Sequence, residues 1–164
     1  MQDALLEQLA TDTGLRLIDQ GMILATAESC TGGWISKVLT DIPGSSQWFE
    51  CGFVTYSNAS KHALLGVSED VLDEYGSVSE EVVRQMVQGA LQRSKANIAV
   101  AVSGIAGPGG GTEDKPVGTV WLACGSDSFL VAEKKLFTGD RESIRRKTVI
   151  RALEGIRYHL GKQE

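Results

Sequence analysis

The sequence predicts an α/β fold, a single three-layer α/β/α sandwich built on a mixed sheet. Three features predict it. Strand-like apolar runs at 23–27, 48–56 and 97–102 alternate with amphipathic helical stretches, as expected when helices cover both faces of a sheet. The run NIAVAV at 97–102 is short and apolar on both parities, which fits a strand buried on both faces. Late in the chain, strand-like segments at 117–124 and 129–137 flank Gly125-Ser126-Asp127-Ser128, which predicts an antiparallel hairpin.

The elements follow in order. Residues 3–20 place Leu5, Leu6, Leu9, Leu17 and Ile18 at helical spacing, and Gly21 stops that helix. The first strand, 23–27, runs into a polar turn and a second helix over 31–41, ended by Pro43-Gly44-Ser45-Ser46. WFECGFVTY at 48–56 is aromatic and β-branched and reads as a strand. Ser57-Asn58 open a helix that carries 61–65, and Ser68 starts a short one over 69–75. Ser79 caps a longer helix with Glu80 and Glu81 in its first turn, and Val82, Val83, Met86, Val87, Ala90 and Leu91 form its apolar face. The strand at 97–102 empties into the glycine-dense loop 103–111. Asp140 caps the last helix, 141–160, which buries Ile144, Leu153, Ile156 and Leu160. No repeat or linker divides the chain, so one domain spanning 1–164 is expected.

Composition excludes several classes. Hydrophobic residues make up 42% and charged ones 23%, an ordinary globular balance. A net charge of −5 argues against a general nucleic-acid binder, which presents a basic face, but leaves room for a small anion in a local basic pocket. The N-terminal segment is acidic and amphipathic, unlike a secretory leader. The longest nearly apolar run, 98–106, is far shorter than the ~18–20 residues that span a membrane. Cys30, Cys51 and Cys124 show no CxxC or Cys/His ligand spacing, so a reducing cytoplasm and no metal are expected.

The chemistry centres on Ala27-Glu28-Ser29-Cys30-Thr31-Gly32-Gly33, a polar turn between a strand and a helix. Helix starts leave N–H groups unbonded, and those donors suit an anion or a developing oxyanion. Ser29 is then a helix cap or a nucleophile. Thr31 can cap in its place, and Gly32-Gly33 allow close approach to the backbone. A serine nucleophile needs a base. His62 and His159 are poorly placed, whereas Lys61 follows a strand end and could point inward, where burial would lower its pKa. Cys30 is a rival nucleophile, because a helix N-terminus favours a thiolate. The 103–111 loop lacks the GxxxxGK[ST] and GxGxxG patterns, which leaves a backbone contact with ligand and a surface loop as alternatives. Arg141 and Arg145 lie four apart at the start of the last helix, where cations oppose the dipole, a hint that they answer an anion.

Taken together, AESCTGG (27–33), PGSS (43–46), GFVTYSNASK (52–61), GSVSEEVV (76–83), SGIAGPGGGTEDKPVGTVW (103–121) and FTGDRESIR (137–145) resemble the CinA C-terminal domain family. The likeness is greatest to its stand-alone amidohydrolases of nicotinamide nucleotides. The resemblance implies hydrolysis of the carboxamide of nicotinamide mononucleotide to nicotinate mononucleotide and ammonia, in pyridine nucleotide recycling, without a cofactor. It implies Ser29 as nucleophile and Lys61 as general base, a serine amidohydrolase. For substrate binding we expect the backbone around Cys30, Thr31 and Gly32 to supply an oxyanion hole, and Ser46 and Tyr56 to line the cleft. Ser103, Gly104 and Gly107 would contact the nucleotide, and Arg145 would pair with its 5′-phosphate. A cytoplasmic homodimer with no nucleic-acid or membrane partner is expected. Two alternatives stand beside it, a non-catalytic nucleotide-binding or interaction module of the same family and an enzyme acting through Cys30.

Overall fold

Strand parity decides which side of the sheet each side chain serves. A computed structural model describes residues 3–161, so positions 1–2 and 162–164 of the expected 1–164 domain lie outside the described residues. The order is α1 (Ala4–Asp19), β1 (Leu24–Glu28), α2 (Trp34–Thr40), a 3-10 turn (Ser45–Gln47), β2 (Phe49–Val54), α3 (Asn58–Leu65), α4 (Glu69–Tyr75), α5 (Glu80–Gln92), β3 (Ile98–Gly104), β4 (Thr119–Ser126), β5 (Leu130–Leu136) and α6 (Arg141–Gly161). The strands form one open sheet, ordered β2-β1-β3-β4-β5. β1 runs parallel to β2 and β3, while β4 is antiparallel to β3 and β5. The mixed α/β architecture and the late hairpin are as the sequence predicts.

Along β3, Ile98, Val100 and Val102 enter one core with α1, α2 and α6. Ala99 and Ala101 enter the other, with α3, α4 and α5. The second face is paved with alanine: Ala25, Ala27, Ala99, Ala101 and Ala123. Small side chains let α5 lie close to the sheet, and its Val82, Val83, Met86, Val87 and Ala90 fill the gap. α3 then docks on α5 through Gly89. A Cβ there would lie 1.9 Å from the Leu65 carbonyl oxygen, a backbone atom that cannot swing away.

The topology gathers functional ends at one edge. β1, β2 and β3 all point their C-termini the same way, and antiparallel β4 and β5 add the start of one and the end of the other. Chain order reverses about β1, since β2 lies on one side of it and β3 on the other. That crevice, beyond the strand C-termini, is where open α/β sheets place ligands.

Strand ends shift by one or two residues from expectation, and the start of the second helix by three. The second helix begins at Trp34 rather than at residue 31, and its N-cap is Gly33, with no side-chain cap. Gly32 and Gly33 have φ of 59° and 102°, left-handed values that keep 31–33 out of the helix. Thr31 therefore caps nothing.

Gly89→Ala should destabilise the fold by about 1–3 kcal/mol, the usual cost of overpacking. Urea titration checks the loss.

Candidate active site

Ser29 is the first residue beyond β1, and its side chain continues the parity of Ala25 and Ala27 towards the α3 and α5 layer. Its N–H donates to the Val102 carbonyl at 3.1 Å, which fixes it beside β3. Lys61 reaches it from α3. That helix starts in a capping box between Ser57 and Ser60, so its register is set one turn before the lysine.

Lys61 Nζ lies 3.0 Å from Ser29 Oγ and donates to the Thr55 carbonyl at 3.0 Å. The side chain is 1% exposed. Burial pushes its pKa below the ordinary 10.5, because the ammonium loses its hydration. An ammonium has three N–H donors, whereas a neutral amine has two and a lone pair. Two oxygens face this nitrogen. An amine can donate to Thr55 and accept from the Ser29 hydroxyl, the arrangement a general base needs. The Thr55 hydroxyl is buried without a hydrogen-bond partner among the described residues.

Over these strand ends opens a cleft of about 290 Å³. Of the residues expected in it, Ser29, Cys30, Tyr56, Ser103, Gly104 and Gly107 all line it. Arg141 closes one side, donating to the Gly107 carbonyl at 2.8 Å and to the Tyr56 hydroxyl at 3.1 Å.

Several expectations are corrected. Ser46 sits in the exposed 3-10 turn before β2, and Leu24 N–H at the start of β1 bonds the nearby Trp48 carbonyl. It therefore lies at the other end of the sheet, roughly 16 Å of strand from Ser29 within this chain. Arg145 does not enter the cleft. Its Nε and Nη2 donate to the Cys30 and Thr31 carbonyls, both at 3.1 Å, and its guanidinium stacks over Trp34. Two carbonyls of the 29–33 turn thus explain a cation at a helix start without any ligand. Thr31 is fully buried and turns away, donating to Glu28 at 2.7 Å. The Gly32 N–H donates to the Ser29 carbonyl at 3.0 Å and is unavailable to an oxyanion.

Cys30 lines the cleft but is 6% exposed, and burial, with the Glu28 charge adding to it, pushes its thiol up to about 12. The expected helix-end activation fails because α2 starts four residues later. Sequence reasoning takes Glu28 only as part of the motif and misses its contacts, which run to Thr31, Ile35 and Ser36. The available signal is parity: it alternates with Ser29 and so faces α2.

Among the described residues no group of three or more His, Cys, Asp and Glu is placed to hold a metal, and no helix is long and apolar enough to cross a membrane.

Comparison with known proteins supplies the lineage. Residues 6–160 match the CinA C-terminal domain. A nicotinamide-nucleotide amidohydrolase PncC of Enterobacter agglomerans is 51% identical over 155 residues, 94% of each chain, and that of Escherichia coli K12 is 50% identical over the same share. A CinA-like protein of Syntrophotalea carbinolica is 50% identical over 94% of this chain but only 38% of its own length. The crystal structure of the competence/damage inducible protein CihA from Agrobacterium tumefaciens superposes with a TM-score of 0.94 at 43% identity, covering 98% of both chains. With a match across nearly all of its length, the chain belongs to the CinA C-terminal domain family.

Proposed function

We propose that this protein is a serine amidohydrolase that deamidates nicotinamide mononucleotide, with Ser29 as nucleophile and Lys61 as base. The observation that carries the reading is the buried amine 3.0 Å from the Ser29 hydroxyl. The names of relatives that match nearly end to end support the substrate.

Each step uses Ser29 in the cleft, the buried Lys61 that contacts it, or the amide beside it. The Ser29 hydroxyl adds to the carboxamide carbon while its proton passes to Lys61 Nζ. The resulting oxyanion is met by the amide of Cys30, the residue of the turn after Ser29 that lines the cleft, now that Gly32 is excluded and Thr31 is fully buried. Collapse breaks the C–N bond, and nitrogen takes the proton from Lys61 and leaves as ammonia. Water then adds to the nicotinoyl ester, giving its proton to Lys61. Breaking the ester C–O bond returns a proton to Ser29 and releases nicotinate mononucleotide. One amine serves as base and acid in turn, which favours a pKa below the ordinary 10.5, the direction in which burial moves it.

The 5′-phosphate is assigned to Arg141, the cation that lines the cleft. Its contacts to Tyr56 and Gly107 are to neutral oxygens, so a phosphate would displace or supplement them at small cost. Three free cysteines support a reducing compartment. The cytoplasm, a role in pyridine nucleotide recycling and assembly as a homodimer complete the reading.

Ser29→Ala and Lys61→Met should each lower ammonia release from nicotinamide mononucleotide by about a thousandfold or more while keeping the fold. Tight binding of the nucleotide by the unmutated protein without any ammonia would favour the binding-module alternative.

The lowered lysine pKa fixes a second expectation. The folded protein holds the amine neutral where the unfolded chain takes up a proton, so stability rises with pH from the folded midpoint towards 10.5 and is reduced below it. Denaturant titrations across that window should show the rise, and Lys61→Met should flatten it. The acid limb of kcat/KM should share the same midpoint.

Arg141→Ala should raise KM for the mononucleotide about tenfold or more and leave turnover of the unphosphorylated riboside nearly unchanged. Arg145→Ala should instead lower kcat for both substrates.

A further inference from the structure

Glu28 is a fully buried carboxylate one residue before the nucleophile, and the chemistry above gives it no task. Its side chain follows the parity of Leu24 towards α2, away from the cleft. Four groups converge on it. Oε1 accepts from the Thr31 hydroxyl at 2.7 Å and the Ile35 N–H at 2.8 Å. Oε2 accepts from the Ser36 N–H at 3.0 Å and the Ser36 hydroxyl at 2.8 Å. Thr26 lies 2.7 Å from the same Ser36 hydroxyl and completes the set.

Ile35 and Ser36 are the second and third residues of α2, whose N-cap, Gly33, offers no side chain. The carboxylate therefore does the work of the missing cap, from a neighbouring strand. It also ties Thr31, in the middle of the nucleophile turn, to the end of β1. The turn 29–33 is thus clamped from below by Glu28, as Arg145 clamps it from above through the Cys30 and Thr31 carbonyls.

We propose that Glu28 is a positioning residue for the reaction, whose carboxylate holds the 29–33 turn so that Ser29 meets Lys61 and Cys30 keeps its place in the cleft lining. The proposal rests on the reading of Ser29 as nucleophile. Its negative charge sits on the positive end of α2, so oxyanion stabilisation comes from the local amide and not from the helix dipole. That charge also opposes ionisation of Cys30 and helps keep the neighbouring thiol out of the chemistry.

Geometry makes the carboxylate hard to replace. Each oxygen receives one backbone N–H, and a backbone donor cannot turn round. In a Glu28→Gln protein, whichever way the new amide were set, its NH2 would meet the N–H of Ile35 or Ser36, donor against donor. The turn would have to move, and a shift of about 1 Å at a reacting atom costs on the order of 100-fold in rate.

The test compares Glu28→Gln, Ser36→Ala and Ser29→Ala with the unmutated protein, at a temperature where circular dichroism shows each folded. Ammonia release from nicotinamide mononucleotide gives kcat and KM, and a fluorophosphonate probe reports reactivity at Ser29. Glu28→Gln is expected to lower kcat by on the order of 100-fold with KM within about threefold, and to slow labelling in parallel. Ser36→Ala, which removes one of the four donors, is expected to lower kcat several-fold at unchanged KM, and it decides the matter where Glu28→Gln does not fold. A folded Glu28→Gln protein, or in its absence Ser36→Ala, with full kcat and full labelling overturns the proposal, since a purely stabilising carboxylate would move only the melting temperature. Full turnover by Ser29→Ala would instead remove the serine–lysine reading itself.

Discussion

The structure depends on keeping one amine dry. In the proposed mechanism Lys61 is useful as a base only because burial disfavours its ammonium, and burial of a lysine is costly unless its nitrogen finds oxygens. Thr55 and Ser29 supply two. The rest of the α3 side of the molecule serves to hold the amine there. Alanines on the sheet face let α5 lie close, Gly89 lets α3 lie close to α5, and the capping box sets the rotation of α3. Removing any of these would open a route for water to the nitrogen, and with water its pKa would return towards 10.5.

The α2 side carries an opposite charge under the same constraint. β1 sends Glu28 one way and the adjacent Ser29 the other, so a buried carboxylate and a buried amine lie on opposite faces of the sheet, held by residues adjacent in sequence. Each is satisfied by its own layer: backbone amides and hydroxyls for the anion, a hydroxyl and a carbonyl for the amine. The two do not form an ion pair, which leaves the lysine free to be neutral. A carboxylate on the α3 face, in contact with Lys61, would favour the ammonium and abolish the base.

Much of this is legible in the sequence. The fold follows from the alternation of apolar runs and from the two-sided apolar strand at 97–102, since parity and period are local properties. Ser29 and Lys61 are legible as candidates because a turn after one strand and a helix after the next end at the same edge of a parallel sheet. The caps at Ser57, Ser68 and Ser79 are where the sequence places them, and the helix start that fails is that of α2. Sequence spacing places Thr31 in α2 and gives Cys30 an activating dipole, but two left-handed glycines delay the helix to Trp34. Ser46 is misplaced because it precedes a parallel strand and so lies at the opposite end from residues that follow one. Arg145 is misread because its partners, two main-chain carbonyls 114 and 115 positions away, leave no trace in side-chain patterns.

The turn also shows why a serine, not the adjacent cysteine, is suited to the work. A thiol is the better nucleophile in water, and both residues line the cleft, although Cys30 packs into the core shared with α1, α2 and α6. Cys30 receives no base, sits in a dry site and lies near the Glu28 charge, all of which hold it protonated with a pKa of about 12. Ser29 needs no ionisation before reaction, only a base that accepts its proton as the bond to carbon forms. A desolvated environment that disables a thiolate is the same one that makes a lysine basic without being charged. In the proposed mechanism, dry walls and a lysine whose charged form is disfavoured therefore select the hydroxyl, and the burial that holds the thiol of residue 30 protonated is what would let residue 29 react.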